Sequence, residues 1–232
     1  MDREKGNAVK KVTMNITAAR GIPEKVVGRL SLYRRILDSM DTSAQTHIFS
    51  HQLAVLAGVT SSQVRRDLLH TGYYGSPNRG YEVVRLADCL ATVLDNPEGR
   101  KVALVGVGNL GRAIIAHFHG RRPALDIVAA FDNRPEKCDR LQNGVPVHPM
   151  ERLDEVIASQ GIRTAIITTP ASAARDVAAL LVSAGVRGIL NCAATPLNLP
   201  PHVYVEELDI TMLLEKVAYF VSLHKSSVKE PS

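Results

Sequence analysis

Val102-Ala103-Leu104-Val105-Gly106-Val107-Gly108-Asn109-Leu110-Gly111 decides the fold: a short apolar run enters a Gly-x-Gly-x-x-Gly turn. Asp132 follows 21 residues after Gly111, closing a second apolar run, Ile127 to Phe131. In a strand-turn-helix unit of this kind Gly106 makes the tight turn, Gly108 admits a pyrophosphate to the backbone, and Gly111 lets the helix lie close on the strand. Unpaired amides and the helix dipole then attract the pyrophosphate, and Asp132 is placed to accept hydrogen bonds from an adenosine ribose. A glycine triplet alone is weak, because such a turn can be purely structural. Here strand, spacing, helix and distal acid agree. The stretch predicts a dinucleotide site built from Gly106, Val107, Gly108, Asn109, Leu110, Gly111 and Asp132.

Outward toward the C-terminus, strand and helix patterns alternate: Val102 to Gly106, Leu110 to His119, Ile127 to Asp132, Val145 to Val147, Leu153 to Gln160, Thr164 to Thr169, Ala173 to Ala184 and Gly188 to Asn191. Alternation at this spacing implies a parallel sheet covered by helices. Ligands of such sheets sit at the carboxyl ends of the strands, so Thr168, Thr169, Pro170 and Asn191 are expected beside the glycines. Each is equally readable as a loop residue. From Asp209 to His224 runs an amphipathic helix with Met212, Leu213, Val217, Phe220, Val221 and Leu223 as its stripe. It either packs on its own sheet or reaches a second subunit.

The N-terminal third is chemically different. Up to Arg85 there are 13 Lys and Arg against 7 Asp and Glu, and after it 15 against 16, so the overall charge of +5 belongs to the first third. A polyanion partner is implied for that part alone. Residues 1 to 20 are polar and lack periodicity, which predicts a mobile arm. Pro23 and Glu24 suit the first turn of a helix, in which Val27, Leu30, Tyr33, Leu37 and Met40 recur at three-to-four spacing. Ser50 to Ala57 reads as a helix capped by Ser50, Gly58-Val59-Thr60 as a turn, and Ser61 to His70 as a further helix capped by Thr60 or Ser61. Helix, Gly-containing turn, helix is a DNA-reading arrangement in which Ser61, Ser62, Gln63, Arg65 and Arg66 occupy the end that meets base edges. Two β-prone runs, Tyr73-Tyr74 and Tyr81 to Val84, flank Gly75 to Gly80 and predict a hairpin wing, with Arg79 at its tip. The competing reading is a winged helix used for protein contacts, with its arginines merely solvated.

The remaining bulk properties are quieter. The 45% hydrophobic fraction and a mean hydropathy near zero predict a globular chain. No apolar run nears the roughly 18 residues a membrane span needs, and the N-terminus has no signal-peptide core, so a cytoplasmic protein without membrane contact is expected. Cys89, Cys138 and Cys192 match no metal spacing and are read as reduced thiols, with no metal site anticipated.

Together these strings resemble the redox-sensing transcriptional repressor family Rex. The resemblance runs from Ile22 onward. It rests on Ile22-Pro23, Arg-Leu-x-x-Tyr from Arg29 to Tyr33, Gln-Val-Arg-Arg-Asp-Leu from Gln63 to Leu68, Gly80-Tyr81, the glycine turn, Ala-Ala-Phe-Asp from 129 to 132, Gly-Val-Pro-Val from 144 to 147, Ile-Ile-Thr-x-Pro-Ala from 166 to 171, and Gly-Ile-Leu-Asn from 188 to 191. It implies an α/β chain: an N-terminal winged helix-turn-helix domain, a Rossmann domain for NADH or NAD+, and a last helix exchanged across a homodimer. NADH would release the dimer from a palindromic operator, with no other protein involved. The implied plan is a flexible arm at 1–20, a winged-helix domain at 21–85, a linker helix and loop at 86–99, a Rossmann domain at 100–205 and a dimerisation helix at 206–232. Arg29 and Tyr33 join the expected DNA contacts.

Three positions depart from the family pattern. His117 stands where relatives usually carry a switch tyrosine. With Asp209 as its acid partner, His117 forms the expected redox switch. Asn133-Arg134 replaces a second acid after Asp132; Arg134 would attract a ribose 2′-phosphate and Asp132 repel it, which keeps NAD(H) ahead. Cys192 replaces a phenylalanine. The reading from another class is an NAD(P)-dependent oxidoreductase with an accessory N-terminal domain, but the residues after the sheet leave little room for a substrate domain, and no catalytic residue is assigned.

Overall fold

The computed structural model describes residues 21–95, 100–118 and 125–225. The arm expected at 1–20 lies outside the described residues, as do 96–99, 119–124 and 226–232. The chain divides into two compact units, 1–96 and 97–232.

The first unit contains helix α1 (Glu24–Asp38), strand β1 (His47–Ile48), helices α2 (Ser50–Ala57) and α3 (Ser61–Leu68), strand β2 (Tyr81–Glu82) and helix α4 (Val83–Leu94). Its core gathers Leu30, Tyr33, Leu37, Ile48, Leu53, Val64, Leu68, Leu86 and Leu90, all at most 2% exposed. Val26 supplies the inward position at the start of α1, whereas Val27 is exposed. Gly58 ends α2 in the left-handed conformation, at φ 65°, and Thr60 caps α3 by accepting the Gln63 amide at 3.2 Å. Ser50 is not the cap of α2. Gln52 Oε1 takes the Phe49 amide at 2.8 Å, while Ser50 Oγ accepts from Arg65 at 3.2 Å.

The wing is shorter than the sequence pattern suggests. Ser76 and Gly80 exchange both backbone hydrogen bonds at 2.7 Å, and β2 pairs with β1 rather than with Tyr73-Tyr74. Val83 and Val84, read as strand, begin α4. Gly80 explains the change of partner: at φ 74°, it brings the chain so close to β1 that a Cβ would stand 2.5 Å from the Ile48 carbonyl oxygen.

The second unit is a doubly wound sheet. Its strands are β3 (Lys101–Val105), β4 (Asp126–Asp132), β5 (Arg140–Gln142), β6 (Val145–Pro149), β7 (Thr164–Ile167), β8 (Gly188–Asn191) and β9 (Tyr204–Glu207). Its helices are α5 (Asn109–Phe118), α6 (Leu153–Gln160), α7 (Ala171–Ser183) and α8 (Ile210–Lys225). The order across the sheet is β5-β6-β4-β3-β7-β8-β9, antiparallel only between β5 and β6. The chain starts in β3 and winds first one way and then the other, so the strand order reverses at the carboxyl end of β3, where ligands of open sheets bind. One core layer holds Val105, Phe131, Val156, Ile157, Ile167 and Leu181; the opposite layer holds Leu104, Val107, Ile115, Ile127 and Val147.

Candidate functional site

The glycine turn leaves β3 with Gly106 at φ 101°, a left-handed conformation that favours glycine. The Gly106 amide bonds the Phe131 carbonyl at 2.8 Å, and the Thr168 hydroxyl reaches the Gly106 carbonyl at 2.7 Å. A Cβ on Gly106 would press on the Thr168 carbonyl at 2.9 Å, and one on Gly111 would collide with the Gly106 carbonyl oxygen. A Cβ on Gly108 would meet nothing within 4 Å. Two of the three glycines are thus required by the packing of the protein itself. The third faces open space at the start of α5, where free amides and the dipole favour an anion. That vacancy at Gly108 fits a pyrophosphate.

Asp132 is 5% exposed and fully engaged. Its Oδ2 accepts the Val107 amide at 2.8 Å and the Lys137 amine at 2.9 Å, and its Oδ1 accepts the Arg134 amide at 3.0 Å. Burial alone would raise its pKa, but the lysine and the two amides outweigh burial and hold the carboxyl below its usual range. Lys137 also donates to the Val107 carbonyl at 2.6 Å, so it ties the turn to the acid from both sides. Sequence reading missed Lys137. Its only signal was a spacing of five from Asp132 in a loop without periodicity.

The other expected pocket residues separate. Thr168 spends its hydroxyl on the Val105 and Gly106 carbonyls, so it braces the turn. Thr169 keeps a buried hydroxyl with no hydrogen-bond partner among the described residues. Pro170 precedes α7 and is exposed. Asn191 is fully buried: its amide donates to the Thr195 carbonyl and to Glu207 at 2.5 Å, and its Oδ1 accepts the Ala193 amide. In this structure Asn191 fastens the loop after β8 to β9 and presents no surface to the pocket. Asn109 bonds Arg112 at 2.7 Å, and Leu110 is 38% exposed on the first turn of α5.

In the first unit a second buried carboxylate organises α3. Arg29 grips Asp67 with Nε at 2.6 Å and Nη2 at 2.8 Å, Tyr33 donates its hydroxyl at 2.8 Å, and Gln63 donates at 2.7 Å. Burial favours the neutral acid, yet Arg29, Tyr33 and Gln63 outweigh it and keep Asp67 ionised, while burial pushes the Tyr33 phenol well above its ordinary value. Tyr33 has no exposed surface and so cannot meet a phosphate here. Arg29 is partly buried and committed to Asp67. These two anchor α3 against α1, Tyr33 with no surface and Arg29 with a quarter of its side chain exposed. Ser62, Arg65, Arg66 and Arg79 are exposed; Ser61 and Gln63 are half-buried. Gln63 is shared between Asp67 and Arg66, whose Nη2 donates to Gln63 Oε1 at 3.3 Å.

His117 is exposed near the end of α5, edge-on to Phe118 with ring centroids 5.4 Å apart. Asp209 caps α8 by accepting the Met212 amide at 3.0 Å. No hydrogen bond joins them within the chain among the described residues. In α8 Ile210, Met212, Leu214, Val217, Tyr219, Phe220 and Val221 each leave more than half their surface exposed. Burial raises the pKa of all three cysteine thiols. No cluster of metal-binding side chains and no helix able to cross a membrane occurs among the described residues.

Comparison with known proteins agrees with both halves of this geometry. Residues 98–195 match the family profile described as CoA binding domain, and 21–68 match that of a putative DNA-binding protein N-terminus. A redox-sensing transcriptional repressor Rex of Latilactobacillus sakei is 38% identical over 88% of this chain and 98% of its own. One from Carboxydothermus hydrogenoformans is 39% identical over 85% and 95%. The crystal structure of RSP, described as in complex with β-NAD+ and operator DNA, aligns over 88% of this chain and 94% of that one at TM-score 0.80 and 29% identity. RSP with β-NADH aligns at TM-score 0.76 and 28% identity, over 88% and 96%.

Proposed function

Since the chain belongs to the Rex family of redox-sensing transcriptional repressors, we propose that it is a homodimeric repressor whose hold on a palindromic operator follows the ratio of NADH to NAD+. The observation that carries this reading is the pairing, in one chain, of a turn open only at Gly108 with a recognition helix that presents Ser62, Arg65 and Arg66. Gly106 to Gly111, Asp132 and Thr169 would hold the dinucleotide. Ser61, Ser62, Gln63, Arg65 and Arg66 would meet the major groove, with Arg79 in the neighbouring minor groove. The dinucleotide supplies the signal, its nicotinamide ring being positively charged when oxidised and neutral when reduced. Asp67, Arg29 and Tyr33 act indirectly by fixing α3.

The exposed apolar surface of α8 supports a helix covered by a second subunit. There His117 would face the partner's copy of Asp209, the candidate switch. We read the protein as a cytoplasmic regulator rather than an enzyme. Coupling is reciprocal: a ligand that prefers the DNA-incompetent dimer weakens operator binding by the factor by which DNA weakens that ligand. The test is selection of a palindrome from random DNA by the full chain, then titration of the complex with each redox form. NADH should dissociate it at concentrations where NAD+ does not. Equal effects of the two forms, or multiple-turnover oxidation of NADH, would overturn the proposal.

A further inference from the structure

The lining beside the glycine turn carries more positive charge than an unmodified ribose requires. A pocket of about 200 Å³ beside the glycine turn is lined by Arg112, Lys137 and Arg140, with Gln142 as a neutral amide and Glu136 as the one carboxylate in the lining. Arg134, two residues beyond the acid, holds its Nε 3.7 Å from Asp132 and leaves 58% of its side chain exposed. A ribose 2′-hydroxyl is neutral and needs only an acceptor. A phosphate monoester at the same carbon carries close to two negative charges and offers three acceptor oxygens, which suits arginine forks.

Repulsion by Asp132 is the argument against such a ligand, and the geometry weakens it. The carboxylate is turned inward and its charge is already met by the Lys137 amine and by the Val107 and Arg134 amides. A phosphate seated between Arg112 and Arg140 would meet a paired acid.

We propose that Arg112, Lys137 and Arg140 form a subsite for the 2′-phosphate of NADP(H), so that this chain binds the phosphorylated dinucleotide as well as NAD(H). This rests on the dinucleotide reading of the glycine turn. The experiment is calorimetric titration of the full chain with NADH, NADPH, AMP, adenosine 2′,5′-bisphosphate and its 3′,5′ isomer, repeated on Arg140→Gln. NADPH should bind within about 30-fold of NADH, and the 2′,5′-bisphosphate at least about tenfold more tightly than AMP. Arg140→Gln should cost NADPH about tenfold and leave NADH within about twofold. NADPH weaker than NADH by more than about 30-fold, an unchanged NADPH to NADH ratio in Arg140→Gln, or preference for the 3′,5′ isomer overturns the subsite. Failure of NADH itself to bind overturns the cofactor reading beneath it, so the two failures are distinguishable.

Discussion

Asp67 and Asp132 are buried carboxylates held ionised by a nearby cation, and they differ in what surrounds them. Asp67 receives four donors from side chains alone, and those donors lie against a closed core. Asp132 receives two backbone amides and a lysine, beside a turn whose middle glycine borders nothing. The first cluster is complete and does mechanical work, holding a recognition helix on its support. The second is also fully engaged, but Val107 and Lys137, which it holds, line a cavity. Burial and a lowered pKa therefore mark both acids, but only the open flank marks a ligand.

The largest expected effect breaks the closed cluster. Asp67→Ala leaves the Arg29 charge and the Tyr33 hydroxyl without their acceptor, and removal of one partner from a buried pair costs about 3 kcal/mol. Thermal unfolding of the first unit should shift accordingly, operator affinity should fall, and NADH affinity should stay; unchanged stability would show the cluster to be ornamental. On the open side the glycines should split. Gly111→Ala forces a methyl group onto the Gly106 carbonyl and should cost about 2 kcal/mol. Gly108→Ala should change stability by less than about 0.5 kcal/mol while weakening NADH about tenfold or more. If Gly108→Ala bound NADH normally, the vacancy at that position would have another meaning.

Smaller effects follow from protonation. Both acids have lowered folded pKa values, so each contributes stability that is fully present above its unfolded value of 3.8 and is lost as pH falls through the folded value. Urea melts of wild type and Asp67→Asn should therefore differ at pH 6 and draw together as pH falls below the unfolded value of 3.8. Divergence in the opposite direction would contradict the assigned signs. Smallest is the cap of α3: Thr60→Ala should cost about 1 kcal/mol, and Ser50→Ala, which removes no cap, less than half of that.

Much of this was legible in the sequence. Strand-helix alternation and glycine spacing place the sheet and its turn, and the polar first turn of α3 after Gly58 places the recognition helix. Edge strands β5 and β9 escaped because Arg140–Gln142 and Tyr204–Glu207 are mostly exposed and carry no apolar run. Val83-Val84 misled because a β-branched residue at a helix start can obey packing rather than propensity: Val83 is 1% exposed in the core of the first unit. Tyr33 was expected in the stripe of α1 and at DNA, and Asn191 in the pocket; their partners, Asp67 and Glu207, lie 34 and 16 residues away, beyond any local pattern. Lys137 was invisible for the same reason. Its meaning depends on where a loop folds back.

The three thiols carry one further consequence. Burial keeps each protonated at neutral pH, and the protonated form reacts slowly with peroxides. A repressor of the proposed kind would then take its reading by ligand exchange and leave no chemical scar on itself. Recovery after an oxidative burst would need no reductase and no new synthesis, and would run as fast as one dinucleotide replaces another.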